Sequence, residues 1–248
     1  MRIQESDYYI EHKRQFQENN IDNNIVDKVI NFAYEMSFGE GYHRQYRSGG
    51  QYKRKPGEIF CNTFQGKLAE YVFQHYLKEH GVNDLTDIDD EVMGQGRWDD
   101  TDLKANGYMI NIKSAAHFSN LLLLETKDWN QEGQYIPNLH NNNTSNYDFF
   151  TLIRIKPDIK KLFKKQRWFY SNSLLYQDVA NYIHGETWQY DIPGYITRED
   201  FIQAIGNNKI IPQNANLNGN IKMDSENYYF EAGEMRSMTN FLHEIQSI

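Results

Sequence analysis

The sequence predicts an α/β (α+β) fold: a central mixed sheet flanked by helices, with a small C-terminal β-rich appendage. Three stretches carry that expectation. Asn106-Gly107 stands between two alternating apolar runs, the pattern of a two-residue type I′ hairpin, because both central residues must adopt positive φ. Tyr147 to Ile155 reads as a strand, ended by Pro157. Leu68, Ala69, Val72, Phe73 and Tyr76 recur at three- and four-residue intervals, as on one face of a helix from about Phe64 to Glu79.

In chain order, Asp7 to Met36 is mostly helical in pattern, with a polar break at Asn19 to Asn24 where Asp22 can cap a second helix. Asn62 or Thr63 can cap the helix that follows, and Gly81 can end it. Glu91 to Gly94 reads as a short strand leading into the hairpin. Leu121 to Leu124 is a buried strand or the start of a helix, and Trp129 to Asn146 is a long polar loop. Asp158 to Arg167 is basic, with Lys160, Lys161, Lys164, Lys165 and Arg167, and either lies along phosphates or presents a solvated helix face.

Trp168 to His184 reads as mixed helix and Ile192-Pro193-Gly194-Tyr195 as a turn. Thr197 to Asp200 is a capping box before a helix at Phe201 to Ile205. Beyond Asn207, short apolar runs separated by Asn and Gly suggest the β appendage, closed by a helix near Met238 to Ile245. The 248 residues are read as one domain, with a helical and basic-loop part at 1–60, a core at 61–165 and the appendage at 166–248.

A formal net charge of −8 argues against a general nucleic-acid coat, which depends on phosphate neutralisation, but leaves room for a selective enzyme with clustered cations. The lone Cys61 rules out an internal disulfide or a thiolate cluster and fits a cytoplasmic setting; beside Phe60 it reads as a small buried hydrophobe. Met1 to Tyr9 lacks the apolar run of a signal peptide, and Leu121 to Leu124 is far too short to cross a bilayer, so no membrane partner is expected. A P-loop would need glycine at Cys61 and Ser or Thr at Leu68, so no nucleotide cofactor is expected. His43, His75, His80, His117, His140, His184 and His243 have no ligand-like spacing, which argues against zinc.

The hairpin also carries the chemistry. With a two-residue turn, Ala105 faces Tyr108, Leu103 faces Ile110, Asp102 faces Asn111 and Asp100 faces Lys113. Alternation then puts Asp100, Asp102, Asn111 and Lys113 on one face, and Thr101, Leu103, Ile110 and Ile112 on the other. Such a polar face is either a seat for a divalent metal and a phosphate or a solvated face with a cross-strand ion pair. Glu70 lies near the apolar stripe of its helix. It either shares a metal with Asp102 or pairs with Lys67 or another cation. Gly39 to Gly57 holds His43, Arg44, Arg47, Lys53, Arg54 and Lys55 against Glu40, and reads as a DNA-backbone contact or a mobile surface loop.

Asp102, then Asn111-Ile112-Lys113 closing the next strand, then Ser114, resembles the core of the PD-(D/E)xK nuclease superfamily, which includes most type II restriction endonucleases. Gly66 to Val72 is similar to the helix that brings these enzymes a further acidic residue, and Asn146 to Ile155 to their next core strand. Asn111 departs from the pattern, which usually has Asp or Glu there.

The resemblance implies a restriction-endonuclease-like core and a Mg²⁺-dependent endonuclease acting on double-stranded DNA as a homodimer. It places Asp102, Lys113, Asn111 and Glu70 in catalysis, with Asp102, Glu70, Asn111 and Asp100 as candidate magnesium ligands. Arg44, Arg47, Lys53, Arg54 and Lys55 would contact DNA. The alternatives are a repair or recombination nuclease of the same superfamily, or an inactive DNA-binding protein on that fold.

Overall fold

In the computed structural model, which describes residues 1–39, 54–88, 103–139 and 145–247, the chain opens with a hairpin whose second strand falls where the helical pattern begins. β1 (Arg2–Gln4) and β2 (Asp7–Tyr9) pair antiparallel, and the chain then runs irregularly to β3 (Asn19–Asn20). Distant partners take the backbone groups a helix would have used. Asn120 Oδ1 accepts from the Arg14 amide and Asp191 from the Gln17 amide, while Arg154 donates to the Arg14 and Gln15 carbonyls.

α1 (Asn23–Phe38) starts as expected, with Asp22 accepting the Asn24 N–H at 2.8 Å. α2 (Pro56–Glu79) starts about two turns earlier than expected, because Pro56 occupies the first turn and neither Asn62 nor Thr63 acts as a cap. Gly81, at φ 79°, follows its last turn. Next come β4 (Leu103–Ala105), β5 (Tyr108–Ala116) and β6 (Leu121–Glu125). Short 3-10 turns at Thr126–Asp128 and Ile136–Asn138 precede β7 (Phe149–Lys156).

The chain continues through α3 (Ile159–Lys165), α4 (Tyr176–His184), β8 (Gln189–Thr197) and α5 (Arg198–Gly206). It closes with β9 (Ile210–Ile211), β10 (Asn216–Leu217), β11 (Ile221–Lys222), β12 (Asn227–Glu231) and α6 (Met238–Gln246). The Thr197/Asp200 capping box forms as the sequence predicts. Pro193-Gly194 does not turn the chain but lies inside β8. The Pro193 carbonyl accepts from Arg14, and Gly194 permits an approach in which a Cβ would collide with the Arg236 carbonyl oxygen.

The central sheet has the order β3-β8-β7-β5-β4; β5 and β7 are parallel and the other pairs antiparallel. Ile110, Ile112 and Ile153 face one core, packed with Ile30 of α1 and Phe64, Leu68 and Val72 of α2. Phe150, Leu152 and Ile196 face a second core with Trp129, Phe201, Tyr228 and Phe230. β7 is thus covered on both sides, which explains why large apolar residues point to both of its faces. The fold is mixed α/β. The late strands do not stand apart as an appendage: β12 pairs with β6 and β10 with β2. Among the described residues no helix is long and apolar enough to cross a membrane.

Candidate functional site

The hairpin holds the expected register, with Leu103 opposite Ile110, Lys104 opposite Met109 and Ala105 opposite Tyr108. Asn106 and Gly107 take φ of 46° and 87°, as a type I′ turn requires. Ile110 and Ile112 enter the helix-side core, whereas Met109 and Ala115 pack on the opposite one. Asn111 and Lys113 alternate with the isoleucines and so share that second face. Asp100, Asp102, Arg44, Arg47 and Lys53 lie outside the described residues, as does the expected strand at Glu91 to Gly94.

Asn111 is 4% exposed, and its Oδ1 is buried with no hydrogen-bond partner among the described residues. A buried amide oxygen in that condition costs free energy unless a cation or donor meets it. Lys113, two residues on, is half-buried, and among the described residues its ammonium pairs with no carboxylate. Ser114 points to the other face, where Gln65 Nε2 of α2 donates to its hydroxyl at 3.3 Å.

Beyond Ile110, β5 keeps β7 on one side and, among the described residues, has no strand on the other. A cleft of about 540 Å³ opens there. Arg54 and Asn62 line it from the α2 side, and Lys113 and Ser114 from β5. The far wall presents Glu125, Asp128 and Asp224. Pairing of β6 with β12, with Glu125 opposite Asn227, holds that wall together. Glu125 is itself paired with Lys127 at 2.6 Å.

Arg54 and Lys113, predicted for DNA contact and catalysis, therefore line one cleft. Lys55 is exposed at the N-cap of α2. Glu70 is paired with Lys67 at 2.7 Å, with the Lys67 ammonium 4.9 Å from the centre of the Phe32 ring, and it does not line the cleft. It lies one turn before Gln74, on the same helix face. Gln74 Nε2 donates to the Thr86 carbonyl at 2.8 Å, and Thr86 Oγ1 accepts the Lys104 N–H at 3.0 Å. Glu70 thus belongs to the helix face that meets the β4 side of the hairpin.

Sequence reasoning missed Glu125, Asp128 and Asp224, which reach the cleft only through long-range strand pairing and carry no local signal. It also passed over His12. Among the described residues, His12, Glu231 and Glu234 form the one His/Cys/Asp/Glu group with ligand atoms close enough for a metal ion. Glu231 is fully buried and already engaged, by the Met1 α-ammonium at 2.6 Å and by the His12 and Glu11 amides at 2.6 and 3.3 Å. Burial pushes its carboxyl pKa up, but the ammonium and the amides outweigh that and hold it below the usual value. His12 Nε2 lies 3.6 Å from Glu234 Oε1.

No protein-family model matches the chain, and no curated protein or solved structure is significantly similar to it.

Proposed function

We propose that the chain is a Mg²⁺-dependent endonuclease that hydrolyses phosphodiester bonds in double-stranded DNA, working as a type II restriction enzyme and as a homodimer. One observation carries the reading: Lys113, whose ammonium has no carboxylate partner among the described residues, lines a cleft and shares a strand face with a buried, unpartnered amide oxygen, Asn111 Oδ1. That pair of groups suits a phosphate and a hard cation.

Asn111 Oδ1 is a ligand atom of the kind magnesium accepts; being neutral, it needs carboxylates beside it. Asp102, which directly precedes β4 in the sequence, would be the main ligand, with Asp100 completing the set; Glu70, the other candidate, pairs with Lys67 on the α2 side and could join only if that pair opened. When bound there, Mg²⁺ supplies charge neutralisation on the phosphate and a more acidic water. Lys113 holds a non-bridging oxygen of the scissile phosphate, or the attacking water, by a charge-assisted hydrogen bond that strengthens as negative charge develops. Arg54 and Lys55 steady the flanking backbone by their positive charge.

Two features support a second reading, a DNA-binding protein without cleavage: Asn111 brings no charge to the ligand set, and Glu70 already has Lys67 as a partner. Incubation of supercoiled plasmid with the protein and Mg²⁺ separates the two. The nuclease produces discrete linear fragments with the wild type and none with Lys113→Ala, which still binds DNA. A Lys113→Ala protein that cuts at the wild-type rate overturns the assignment, and a wild type that binds without cutting favours the second reading.

A further inference from the structure

α3 gathers cations in a chain of net charge −8, and two of them, Lys161 and Arg167, stand where the local backbone disfavours them. Lys161, Lys164, Lys165 and Arg167 are all exposed, and among the described residues none of them pairs with a carboxylate. Lys161 sits in the first turn of α3, the end of the helix dipole that disfavours a cation. Arg167 follows the helix at φ 60°, a left-handed position where glycine is the unstrained residue.

Aromatic rings lie among these charges. The Lys161 ammonium is 4.2 Å from the centre of the Phe118 ring, and Phe118 is 51% exposed. Lys164 is 4.9 Å from the Phe169 ring, which abuts Tyr170, itself 67% exposed. Nearby His117 has its pKa lowered, first by burial and then by the positive charges of Lys156 and Lys161, against a smaller opposing effect of Asp158.

This face also leads toward the cleft. α3 and the turn after it rest on the start of α2: Cys61 Sγ is 3.9 Å from the Ile159 carbonyl oxygen, and the Gly57 amide donates to the Ser171 carbonyl at 3.1 Å. Arg54 and Lys55 immediately precede α2, and Arg54 lines the cleft.

We infer that the exposed face of α3 is a second contact for the backbone of duplex DNA, continuing the path of the substrate outward from the cleft past Lys55. The inference rests on the proposed nucleic-acid substrate but not on cleavage. Cations without acidic partners, aligned and carried on a rigid helix, match the repeated charge of a phosphate backbone and release its condensed counterions.

The test is binding without turnover. Fluorescence anisotropy in EDTA measures the affinity of the wild type and of Lys161→Gln/Lys164→Gln/Lys165→Gln for a duplex of roughly 30 base pairs, across about 50–200 mM salt. Each phosphate that the protein ceases to neutralise lowers the slope of log K against log salt by about 0.9, so the triple variant should lose about 2–3 from the slope and bind at least 10-fold more weakly near 0.1 M salt. Thermal unfolding should be unchanged, and the corresponding triple Arg variant should restore the slope.

Equal slopes in wild type and Gln variant overturn the inference, as does a wild type that binds no duplex. A loss seen only with single strands overturns the duplex assignment. A wild type that binds with the predicted salt behaviour but leaves plasmid intact with Mg²⁺ upholds this surface and overturns the nuclease reading; one that cleaves while the Gln variant keeps its full slope does the reverse.

Discussion

Arg154 is completely buried in β7, and all of its donor nitrogens are used. Nε donates to Asp191 Oδ1 at 2.8 Å, and a second nitrogen donates to Asp191 Oδ2. The guanidinium also reaches the Arg14 carbonyl at 2.8 Å, the Gln15 carbonyl at 3.1 Å and the Ser119 carbonyl at 3.2 Å. Replacing Asp191 by Ala leaves an uncompensated guanidinium in the interior, which costs about 3–5 kcal/mol. For a chain of this size that lowers Tm by roughly 6–20 °C. Arg154→Met should cost a similar amount, since it strands the carboxylate and three carbonyls at once.

The double replacement removes both charges and leaves only neutral groups without partners, the carbonyls and the Gln17 amide, so it should cost less than the two single changes added together. A double-mutant cycle from urea unfolding should therefore give a coupling of at least about 2 kcal/mol. Additivity within about 0.5 kcal/mol would refute the claim that the two ions depend on each other. The same arginine ties residues 14–15 to the turn at Ser119 that leads into β6. The single variants should accordingly loosen the far wall of the cleft and reduce any plasmid cleavage more than their stability loss explains.

Three further outcomes follow from the packing. At Gly57 a Cβ would collide with the Trp168 carbonyl oxygen, so Gly57→Ala must push α2 away from the turn after α3; a loss of about 1–3 kcal/mol in denaturant unfolding and weaker DNA binding through a displaced Arg54 are expected. Burial raises the Asp200 pKa, but Arg236 and the Thr197 amide outweigh it and hold the carboxyl below its ordinary 3.8. A depressed pKa stabilises the fold above the unfolded value, and that stability is lost as pH falls below about 4; Asp200→Asn should flatten this acid limb in a series of melts. Cys61 is fully buried and its thiol pKa is pushed far up by desolvation, so a thiol reagent at about pH 8 should label it only as fast as the protein unfolds.

Where the sequence could be read, local backbone chemistry governs the outcome. Asn106-Gly107 dictates its own turn, and from that turn follow the register of β4 and β5 and the common face of Asn111 and Lys113. Asp22, Gly81 and the Thr197/Asp200 box mark helix ends because a cap satisfies its neighbours directly. The reading failed where remote partners decide. The residues after Tyr9 have helical spacing, yet Asn120, Arg154 and Asp191 take their amides and carbonyls. Pro193-Gly194 has the composition of a turn, but Arg14 and the Arg236 backbone hold it extended within β8. Glu125, Asp128 and Asp224 fall in the same class: nothing in a linear chain announces that strands about a hundred residues apart will lie side by side.

That long-range pairing has a consequence for biosynthesis. The hairpin with Lys113 and all of α2 have left the ribosome while the partner of β6, Asn227–Glu231, is still untranslated. A nascent polypeptide therefore carries Lys113, Glu125 and Asp128 early but gains the strand that pairs with β6 only once synthesis has passed Asn227, so truncated products that stop short of it hold both charges without the pairing that sets them across one cleft.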